Sequence, residues 1–498
     1  MIPSGSNDKL NCQLNFAENK KSIIPTIMEN STFTIGIVGL GVMGRNFALN
    51  IADNGYSVIG LDNDAGKAST LEEEAGQKTV KGTTDANAFI AALKQPRAVM
   101  LLVPAGSAVD SVIEKLVPLL DEGDLIIDGG NSHFTDTNRH YQDLQDEGIH
   151  FMGIGVSGGA KGARLGPSMM PGGPQEAYER IKSIFEAAAA KVDGEPCVRW
   201  LGPGSAGHYV KMVHNGIEYG LMELIAECYD IMKRGLGLSN ERIQNVFSDW
   251  NEGELSSYLM EITADIFAQS DDKGDGLLID AIMDSAKQKG TGKWASQDAM
   301  NLKVPLHNID LAVAMRDMSA YKDERLKAEG ILQGPEANFD GNKDEFIDKL
   351  KEALYFSFIA TYAQGMALLR SASEEYEYEL NFEDIAIIWR GGCIIRAALL
   401  DDIAEACREN SKLANLMVAP NFSQELIGRQ SSLREVIKKA AELGIPASGL
   451  TGALAYYDSY RSGRLPANLI QAQRDYFGSH TYERTDAQGT FHMQWNSN

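Results

Sequence analysis

The feature that most constrains the fold of this chain is a glycine-rich turn between a predicted strand and a predicted helix. The turn reads Gly39-Leu40-Gly41-Val42-Met43-Gly44, and the apolar run TIGIVGL leads into it. A second predicted strand, SVIGLD, follows the helix and ends at Asp62. In such a βαβ unit the glycines permit a tight turn, the approach of a pyrophosphate to the helix N-terminus, and close packing of helix on strand. The spacing predicts a dinucleotide-binding unit; the alternative is a glycine-rich turn without a ligand.

The end of the second strand indicates which dinucleotide the unit accepts. Asp62 lies 18 residues after Gly44, close to the distance of about 20 residues at which a carboxylate can bind the adenosine ribose hydroxyls. Asn63 and Asp64 follow, and neither offers a guanidinium to a 2′-phosphate; Lys67 is the nearby cation. The pattern favours NAD over NADP, and the alternative is that Asp62 only caps the turn.

Short apolar runs recur along the first part of the chain. They span residues 98–104, 124–128 and 149–156, and helical patterns such as SVIEKLVPLL separate them. Strands that alternate with helices in this way predict a mostly parallel, doubly wound sheet. We therefore predict a Rossmann-like α/β domain over residues 31–204, preceded by a loosely ordered extension at residues 1–30.

The remainder of the chain is predicted to be helical. Residues 205–462 read as helices with acidic outer faces, which indicates a large all-helical second domain. The stretch around Tyr219-Gly220 resembles the stretch around Gln364-Gly365, so either an internal repeat or chance similarity is present. Residues 463–498 are too short to hold a core and carry scattered aromatic residues. They are predicted to form a C-terminal tail that docks on a neighbouring subunit.

The charge of the chain excludes some classes of partner. Its 498 residues include 46 Lys and Arg against 69 Asp and Glu, a formal net charge of −23. Such a chain is repelled by phosphate backbones and anionic lipids, so we expect no nucleic acid and no membrane as partner. An anionic substrate would need a locally basic site. No apolar run has the length of a membrane helix, and the N-terminus lacks a signal-peptide core, which predicts a cytoplasmic protein.

The cysteines indicate neither a disulfide framework nor a zinc site. They are five in number, widely spaced and without a CxxC pair. We interpret them as reduced structural thiols, which argues against secretion and against a structural metal. They are Cys12, Cys197, Cys228, Cys393 and Cys407.

One face of the helix predicted after residue 205 combines an acid with a base. At offsets of 0, 3, 4 and 7 it carries Lys211, His214, Asn215 and Glu218. Such offsets share one side of a helix, where the alternative is an ordinary solvated Lys/Glu pattern. In an interdomain cleft, desolvation would lower the pKa of the lysine and raise that of the glutamate. The face would then offer a general base and a general acid.

Two tight polar turns are predicted at the carboxyl ends of later strands. They read Asp128-Gly129-Gly130-Asn131-Ser132 and Val156-Ser157-Gly158-Gly159. Open α/β sheets bind their ligands at this edge. Each turn alone can be a simple turn, but together they predict a shared crevice.

A few cations indicate where an anion binds. Lys289-Gly290-Thr291-Gly292-Lys293-Trp294 is a short cationic turn, yet it lacks the first glycine and the leading strand of a P-loop, so an NTPase is rejected. Arg316, Arg474 and His480 lie in otherwise apolar or aromatic stretches. Each of these three is by itself more commonly a structural ion-pair residue.

Together these motifs resemble the 6-phosphogluconate dehydrogenase family, decarboxylating enzymes of the pentose phosphate pathway. The resemblance runs from about Phe33 almost to the C-terminus and includes GLGVMGRN, LIIDGGNS, GVSGG, GARLGPSMMPGG, GHYVKMVHNGIEYG, KGTGKW, WRGGCIIR and LPANLIQAQRDYFGSHTYER. It implies a homodimer in which each tail penetrates the partner subunit. It also implies a helical domain with an internal repeat.

The resemblance further implies residue roles in converting 6-phosphogluconate to ribulose 5-phosphate and CO2. Lys211 would take the proton of the 3-hydroxyl while hydride passes from C3 to the nicotinamide, and after decarboxylation Glu218 would protonate C1 of the resulting enediol. No metal is implied, because the 3-keto group is the electron sink. Residues implied to hold the sugar acid are Asn131, Ser157, Gly158, Gly159, His214 and Asn215. Those implied to hold the phosphate are Tyr219, Lys289, Thr291 and Arg316, with Arg474 and His480 coming from the other subunit.

The chain departs from the family pattern in the dinucleotide site. Many members have Asn-Arg-Thr where this chain has Asp62-Asn63-Asp64, a Lys where it has Pro104 after Val103, and Ala where it has Gly41. Losing a guanidinium fork to a 2′-phosphate and adding repulsion predicts NAD as the preferred cofactor, with NADP possible. Residues expected to bind the dinucleotide are Gly39, Gly41, Val42, Met43, Gly44, Asp62, Asn63, Val103 and Asn131.

Three alternatives to this interpretation stay open. The first is an NADP-preferring form of the same enzyme. The second is another β-hydroxyacid dehydrogenase, a group that shares the glycine turn but lacks the long second half. The third is a catalytically idle dinucleotide-binding sensor, against which the intact Lys211 and Glu218 count.

Overall fold

The computed structural model describes residues 33–495. The predicted extension at residues 1–30, with Cys12, lies outside the described residues. Within them, the main sheet consists of β1 (Ile35–Val38), β2 (Val58–Leu61), β3 (Val80–Thr83), β4 (Ala98–Leu101), β5 (Leu125–Asp128), β6 (His150–Val156) and β7 (Met169–Gly172).

The sheet is doubly wound, as predicted. Its strand order is β3-β2-β1-β4-β5-β6-β7, and all neighbours are parallel except β6 and β7. Every residue of β1, β2, β4 and β5 is buried, which explains their continuous apolar runs, because helices cover both faces of the sheet. The winding direction changes between β1 and β4, so a crevice opens beyond their carboxyl ends.

Helices connect the strands of this first domain. They are α1 (Val42–Asp53), α2 (Ala65–Ala75), α3 (Ala86–Ala91), α4 (Ser107–Leu116), α5 (Phe134–Asp146), α6 (Gly159–Leu165) and α7 (Gln175–Ala188), with a 3-10 turn at Val117–Leu119. A small hairpin of β8 (Lys191–Val192) and β9 (Glu195–Pro196) follows.

The second domain is helical, as predicted. Its helices are α8 (Ala206–Asp230), α9 (Asn240–Asn251), α10 (Tyr258–Ala268), α11 (Leu278–Ala281), α12 (Thr291–Asn301), α13 (His307–Ser319), α14 (Lys322–Glu329), α15 (Lys343–Glu375), α16 (Phe382–Trp389), α17 (Leu399–Glu409), α18 (Pro420–Glu442) and α19 (Ser448–Tyr460). A π turn at Ile231–Gly235 and a 3-10 turn at Leu416–Val418 complete it. Between residues 33 and 495, no helix combines the length and apolar character needed to cross a membrane.

The C-terminal tail folds locally, with little burial of its apolar side chains. It contains α20 (Ala467–Gly478) and a hairpin of β10 (Tyr482–Glu483) and β11 (Thr490–Phe491). The exposed large side chains of α20 are Leu469, Ile470, Tyr476 and Phe477, the last 73% exposed. A helix with these side chains exposed is suited to an interface. Docking of the tail on a neighbouring subunit stays a prediction.

The repeated sequence motif marks the crossing of the two long helices. A Cβ at Gly220 of α8 would lie 2.7 Å from the Thr361 side chain of α15. Conversely, a Cβ at Gly365 of α15 would lie 2.5 Å from the Ile217 side chain of α8. The two glycines therefore let the helices approach closely, and the internal repeat stays a prediction.

Helix α8 joins the two domains because it packs against both. Most of its side chains are buried, and it contacts β6 and β7 of the sheet as well as α12, α13 and α15. The contact with β6 is especially close at Gly155, where an added Cβ would lie 2.3 Å from the Cβ of Lys211. A side chain at this strand position would displace Lys211.

We expect Gly155→Ala to lower the free energy of unfolding by about 1–3 kcal/mol, since the new methyl group must push α8 or β6 aside. Urea-induced unfolding measures the change. The matched control is Gly428→Ala in α18, where a Cβ meets no described atom within 4 Å. Because alanine favours helix, the control should be neutral or stabilising by up to about 1 kcal/mol. An unchanged stability of Gly155→Ala would contradict the close packing.

Candidate active site

A cleft of about 930 Å³ opens beyond the carboxyl ends of the strands, between the sheet and the helical domain. A second cavity, of about 590 Å³, lies over the outer part of the sheet. The two share walls formed by Gly41, Leu102, Val103 and Pro104. This continuous space lies where the switch in winding direction predicts a ligand.

The structure brings most of the predicted site residues together along these walls. The 930 Å³ cleft is lined by Gly41, Val42, Met43, Val103, Asn131, Ser157, Gly158, Gly159, Lys211, Asn215, Glu218, Tyr219, Lys289, Thr291 and Arg316. The second cavity adds Gly39, Asp62 and Asn63. Four predicted residues lie off both walls, namely Gly44, His214, Arg474 and His480.

The glycine turn has the geometry that a pyrophosphate requires. Gly39 has φ +91°, and a Cβ on Gly44 would lie 1.8 Å from the Gly39 carbonyl oxygen, so Gly44 acts in packing. A Cβ on Gly41 meets no described atom within 4 Å, and no described side chain caps the N-terminus of α1. The first amides of α1 therefore face open space that an anion can occupy.

Asp62 lies at the end of β2 as an ionised, well-anchored carboxylate. It accepts hydrogen bonds from the amides of Leu40 at 2.8 Å and Asp64 at 3.0 Å, and Lys67 Nζ lies 3.4 Å away. Burial acts to raise the pKa of Asp62, but these hydrogen bonds and the Lys67 charge outweigh it and lower the pKa. Asp62, Asn63 and Lys67 all line the second cavity.

The polar face of α8 points into the cleft. Lys211 Nζ lies 3.4 Å from His214 Nδ1, while His214 Nε2 lies 3.2 Å from Ser157 Oγ. His214 Nδ1 is also 4.0 Å from Glu218 Oε2. His214 is fully buried, so it lies behind the wall and links the lysine, the glutamate and the turn after β6.

Burial shifts the pKa values of Lys211, His214 and Glu218 in the directions that favour their neutral forms. It lowers the pKa of Lys211, an effect opposed by the Glu218 charge. It raises the pKa of Glu218, opposed by Lys211 and Arg316. The pKa of His214 falls well below its usual value through burial and the Lys211 charge. A neutral amine can accept a proton and a neutral carboxyl can donate one, so burial favours the forms in which Lys211 could serve as a base and Glu218 as an acid.

The turn after β5 is shaped by a buried carboxylate that sequence reasoning did not single out. Asp128 accepts hydrogen bonds from the Gly130 amide at 2.9 Å and from Ser132 Oγ at 2.6 Å. These bonds close the turn and expose Asn131 to the cleft. The DGGNS motif predicts a polar turn, but a sequence does not reveal which of its members faces inward.

One end of the cleft is basic despite the acidic chain. The N-terminus of α12 carries Thr291 beside Lys289, and the Arg316 guanidinium lies 3.5 Å from the centre of the Tyr219 ring. A helix N-terminus with adjacent cations favours a phosphate group. Apart from Lys211 and Glu218, the charged residues that line the cleft in the described part of the chain are the cations Lys287, Lys289 and Arg316.

Further residues line the cleft without a predicted role of their own. They are Leu102, Pro104, Ala105, Gly129, Gly130, Val156, Lys287, Gln288, Trp294 and Ile394. Gly129, Gly130 and Val156 belong to the predicted polar turns, Trp294 to the cationic turn and Ile394 to WRGGCIIR, so these motifs point to the cleft without identifying each member as a wall residue. In the part of the chain that the structure describes, no three His, Cys, Asp or Glu side chains cluster as a metal site would require.

The two tail residues lie apart from the cleft of their own chain. Arg474 and His480 are exposed and belong to the locally folded tail. We predict that these two residues reach the site of another subunit. Such an arrangement requires that they do not line the cleft of their own chain. Their role stays a prediction.

Comparisons with known proteins match both parts of the chain. A family model described as the NAD binding domain of 6-phosphogluconate dehydrogenase matches residues 34–202. Another, described as the 6-phosphogluconate dehydrogenase C-terminal domain, matches residues 207–495.

Individual relatives extend over nearly the whole chain. The decarboxylating 6-phosphogluconate dehydrogenase of Lactococcus lactis subsp. lactis is 54% identical over 462 residues, which cover 92% of this chain and 98% of that protein. The NADP(+)-dependent, decarboxylating enzyme of Bacillus subtilis is 52% identical, with coverage of 93% and 98%. The solved Plasmodium falciparum 6-phosphogluconate dehydrogenase, described in apo form and in complexes with NADP+ and 6-phosphogluconate, has a TM-score of 0.90 at 43% identity. It covers 93% of this chain and 100% of its own. The chain therefore belongs to the 6-phosphogluconate dehydrogenase family.

Proposed function

We propose that this chain catalyses the oxidative decarboxylation of 6-phosphogluconate to ribulose 5-phosphate and CO2, a reaction of the pentose phosphate pathway. The observation that carries the proposal is the face of α8, where Lys211 and Glu218 line a cleft that continues to a glycine-rich dinucleotide turn. The basic end of the cleft, around Lys289 and Arg316, suits the phosphate of the substrate.

Lys211 acts first, as the general base. Its lowered pKa favours the neutral amine, the form that can take the proton of the 3-hydroxyl. His214 holds the amine in place through its Nδ1 and is itself held by Ser157. A bound dinucleotide would supply the acceptor for the hydride that leaves C3, and α1, Asp62 and Val103 would hold it.

Glu218 acts second, as the general acid. Once C3 is a ketone, the bond between C1 and C2 breaks, C1 leaves as CO2, and the electron pair forms an enediol as the C3 oxygen takes back the proton held by Lys211. Glu218, whose raised pKa favours the protonated form, then delivers a proton to the former C2, which is C1 of ribulose 5-phosphate, while Lys211 removes the hydroxyl proton of the former C3 to form the product ketone. Asn131, Ser157, Gly158, Gly159 and Asn215 line the space for the sugar acid.

We further propose that NAD is the preferred cofactor. The ionised Asp62 beside Asn63 favours two ribose hydroxyls and disfavours a 2′-phosphate. Lys67 and Lys115 also line this cavity and support the competing case of an NADP-preferring enzyme. The ion pair with Asp62 partly neutralises the charge of Lys67, which favours NAD as the preferred cofactor.

The proposed active site is shared in a homodimer. The exposed apolar face of α20 supports docking of the tail on a second copy of the chain. Arg474 and His480 of the partner subunit would then complete the phosphate site beside Lys289 and Arg316.

The reaction and its cofactor are tested together by initial rates with 6-phosphogluconate at matched NAD and NADP concentrations. We expect kcat/KM to be about tenfold or more higher with NAD, because a missing guanidinium fork and an added carboxylate both disfavour the 2′-phosphate. Asp62→Asn should bring the ratio of kcat/KM with NAD to kcat/KM with NADP closer to one. Asp85 likewise follows a strand and precedes a helix, as the N-cap of α3, and Asp85→Asn should leave this ratio unchanged. A higher rate with NADP would overturn the NAD preference, and no rate with either cofactor would favour a sensor.

The pH dependence of kcat/KM for 6-phosphogluconate should be bell-shaped. On the acid side Lys211 is protonated and cannot accept a proton; on the alkaline side Glu218 has lost the proton that it must donate. Since the pair is coupled, the two apparent pKa values belong to both groups.

Glu218→Gln separates the two limbs of this profile. It should lower kcat by about 100-fold or more and remove the alkaline limb. Glu223→Gln is the control, because Glu223 is a half-buried carboxylate on α8 whose pKa is also raised by burial and that does not line the cleft. An alkaline limb that persists in Glu218→Gln would reject Glu218 as the acid.

The shared site predicts complementation between two inactive or weakened variants. Lys211→Met should abolish turnover, with Lys438→Met as its exposed control, and Arg474→Ala should raise the KM for 6-phosphogluconate. In a mixed dimer, one site carries both changes and the other carries neither, so remixing the variants after dissociation should restore normal KM at part of the wild-type rate. If the remixed protein does not regain the normal KM, Arg474 contributes to the site of its own subunit or to neither site.

A further inference from the structure

The C-terminal tail is organised around one buried carboxylate. Asp475 is fully buried, although most of its neighbours in α20 are exposed. Its Oδ1 accepts hydrogen bonds from the Thr481 amide at 3.0 Å and from His492 Nδ1 at 2.8 Å. Its Oδ2 accepts hydrogen bonds from the Met493 amide at 3.1 Å and from Trp495 Nε1 at 2.9 Å. One side chain thus ties the end of α20 to both sides of the hairpin.

Each oxygen of the Asp475 carboxylate accepts two hydrogen bonds. Burial acts to raise the pKa of Asp475, but the hydrogen bonds, led by that of His492, outweigh it and hold the pKa at about 2. Since an ionised carboxylate only accepts, His492 Nδ1 carries the proton in this contact. The four donors come from side chains and amides of the tail itself, so the tail supplies its own internal scaffold.

The turn that this scaffold holds is strained on both sides of His480. Ser479 has φ +51° and Thr481 has φ +57°, a left-handed conformation that is costly for a β-branched residue. The hydrogen bond from the Thr481 amide to Asp475 offsets part of the energetic cost of this left-handed conformation. The position of the His480 imidazole therefore depends on Asp475.

Arg474 is connected to the same turn. Its Nη1 donates a hydrogen bond to Gln471 Oε1 at 3.0 Å, and Gln471 Nε2 donates one to the Thr481 carbonyl at 2.5 Å. Arg474 precedes Asp475 in the chain, and its hydrogen bonds through Gln471 reach Thr481, the residue next to His480. Arg474 and His480 are both exposed, as groups that meet a ligand outside their own chain must be.

We propose that Asp475 is a positioning residue, whose buried carboxylate fixes the turn after α20 so that Arg474 and His480 reach one phosphate group together. The inference rests on the proposed function, in which these two residues bind the phosphate of 6-phosphogluconate in the partner's site. It adds that the tail arrives at the partner already folded, so the ordering of this turn is complete before the substrate binds.

The test is steady-state kinetics of the full-length protein carrying Asp475→Asn. An asparagine side chain has one acceptor oxygen, and its NH2 group would face N–H groups that now donate hydrogen bonds to the second oxygen of Asp475. Those hydrogen bonds would be lost, so the turn should loosen. We expect KM for 6-phosphogluconate to rise about tenfold, with kcat and KM for the dinucleotide changed by less than about twofold. The matched control is Asp486→Asn, an exposed carboxylate of the same tail that pairs with Arg484. It should leave all three constants unchanged.

A double-mutant cycle with Arg474→Ala separates positioning from a general structural role. If Asp475 acts through the phosphate ligands, adding Asp475→Asn to Arg474→Ala should raise KM by less than about twofold more. Full additivity, or a parallel loss of kcat, would overturn the proposal. If Arg474→Ala itself leaves KM unchanged, the shared phosphate site fails, and this inference falls with it.

A milder variant covers the case in which Asp475→Asn fails to assemble. Trp495→Phe removes one donor to Asp475 but keeps an aromatic ring beside Tyr476. Sedimentation velocity should show the same oligomer as the wild type, with KM raised about two- to threefold. An unchanged KM in this correctly assembled variant would overturn the proposal.

Discussion

The structure depends on one close contact, the packing of α8 directly against β6. Where Gly155 meets Lys211, there is no room for a side chain on the strand, so the lysine stem lies flat against the sheet. That contact buries the amine and lowers its pKa, and it places Lys211, Glu218 and His214 at a fixed distance from the turn after β6. The chemistry of the cleft is thus a direct result of how a helix of the second domain rests on the sheet of the first.

Much of the fold could be predicted because its signals are local. The glycine turn at Gly39–Gly44 and the buried apolar strands each follow from a short stretch of sequence, and the structure places both as expected. The spacing of Lys211, His214 and Glu218 likewise predicts one helical face. The antiparallel β7 could not be predicted in this way, because strand direction depends on how the chain returns to the sheet.

What could not be predicted depends on contacts between distant residues. Glu227 illustrates this, since it is an ordinary glutamate in the sequence of α8. In the structure it is buried and accepts hydrogen bonds from the amides of Gly449 and Leu450 at the start of α19. Burial raises its pKa to about 8, although these hydrogen bonds oppose the shift. Asp128 and Asp475 are similar cases, because each carboxylate stabilises a turn whose partners are set by the tertiary fold.

The basic end of the cleft has a consequence for how substrate and protein meet. A chain of net charge −23 repels an anionic sugar acid at long range, whereas Lys287, Lys289 and Arg316 attract it only near the cleft. At physiological ionic strength the Debye length is about 8 Å, so dissolved ions mask the distant repulsion while the short contacts inside the cleft keep their strength. Dissolved salt therefore aids encounter with this protein, the reverse of enzymes whose whole surface attracts the substrate.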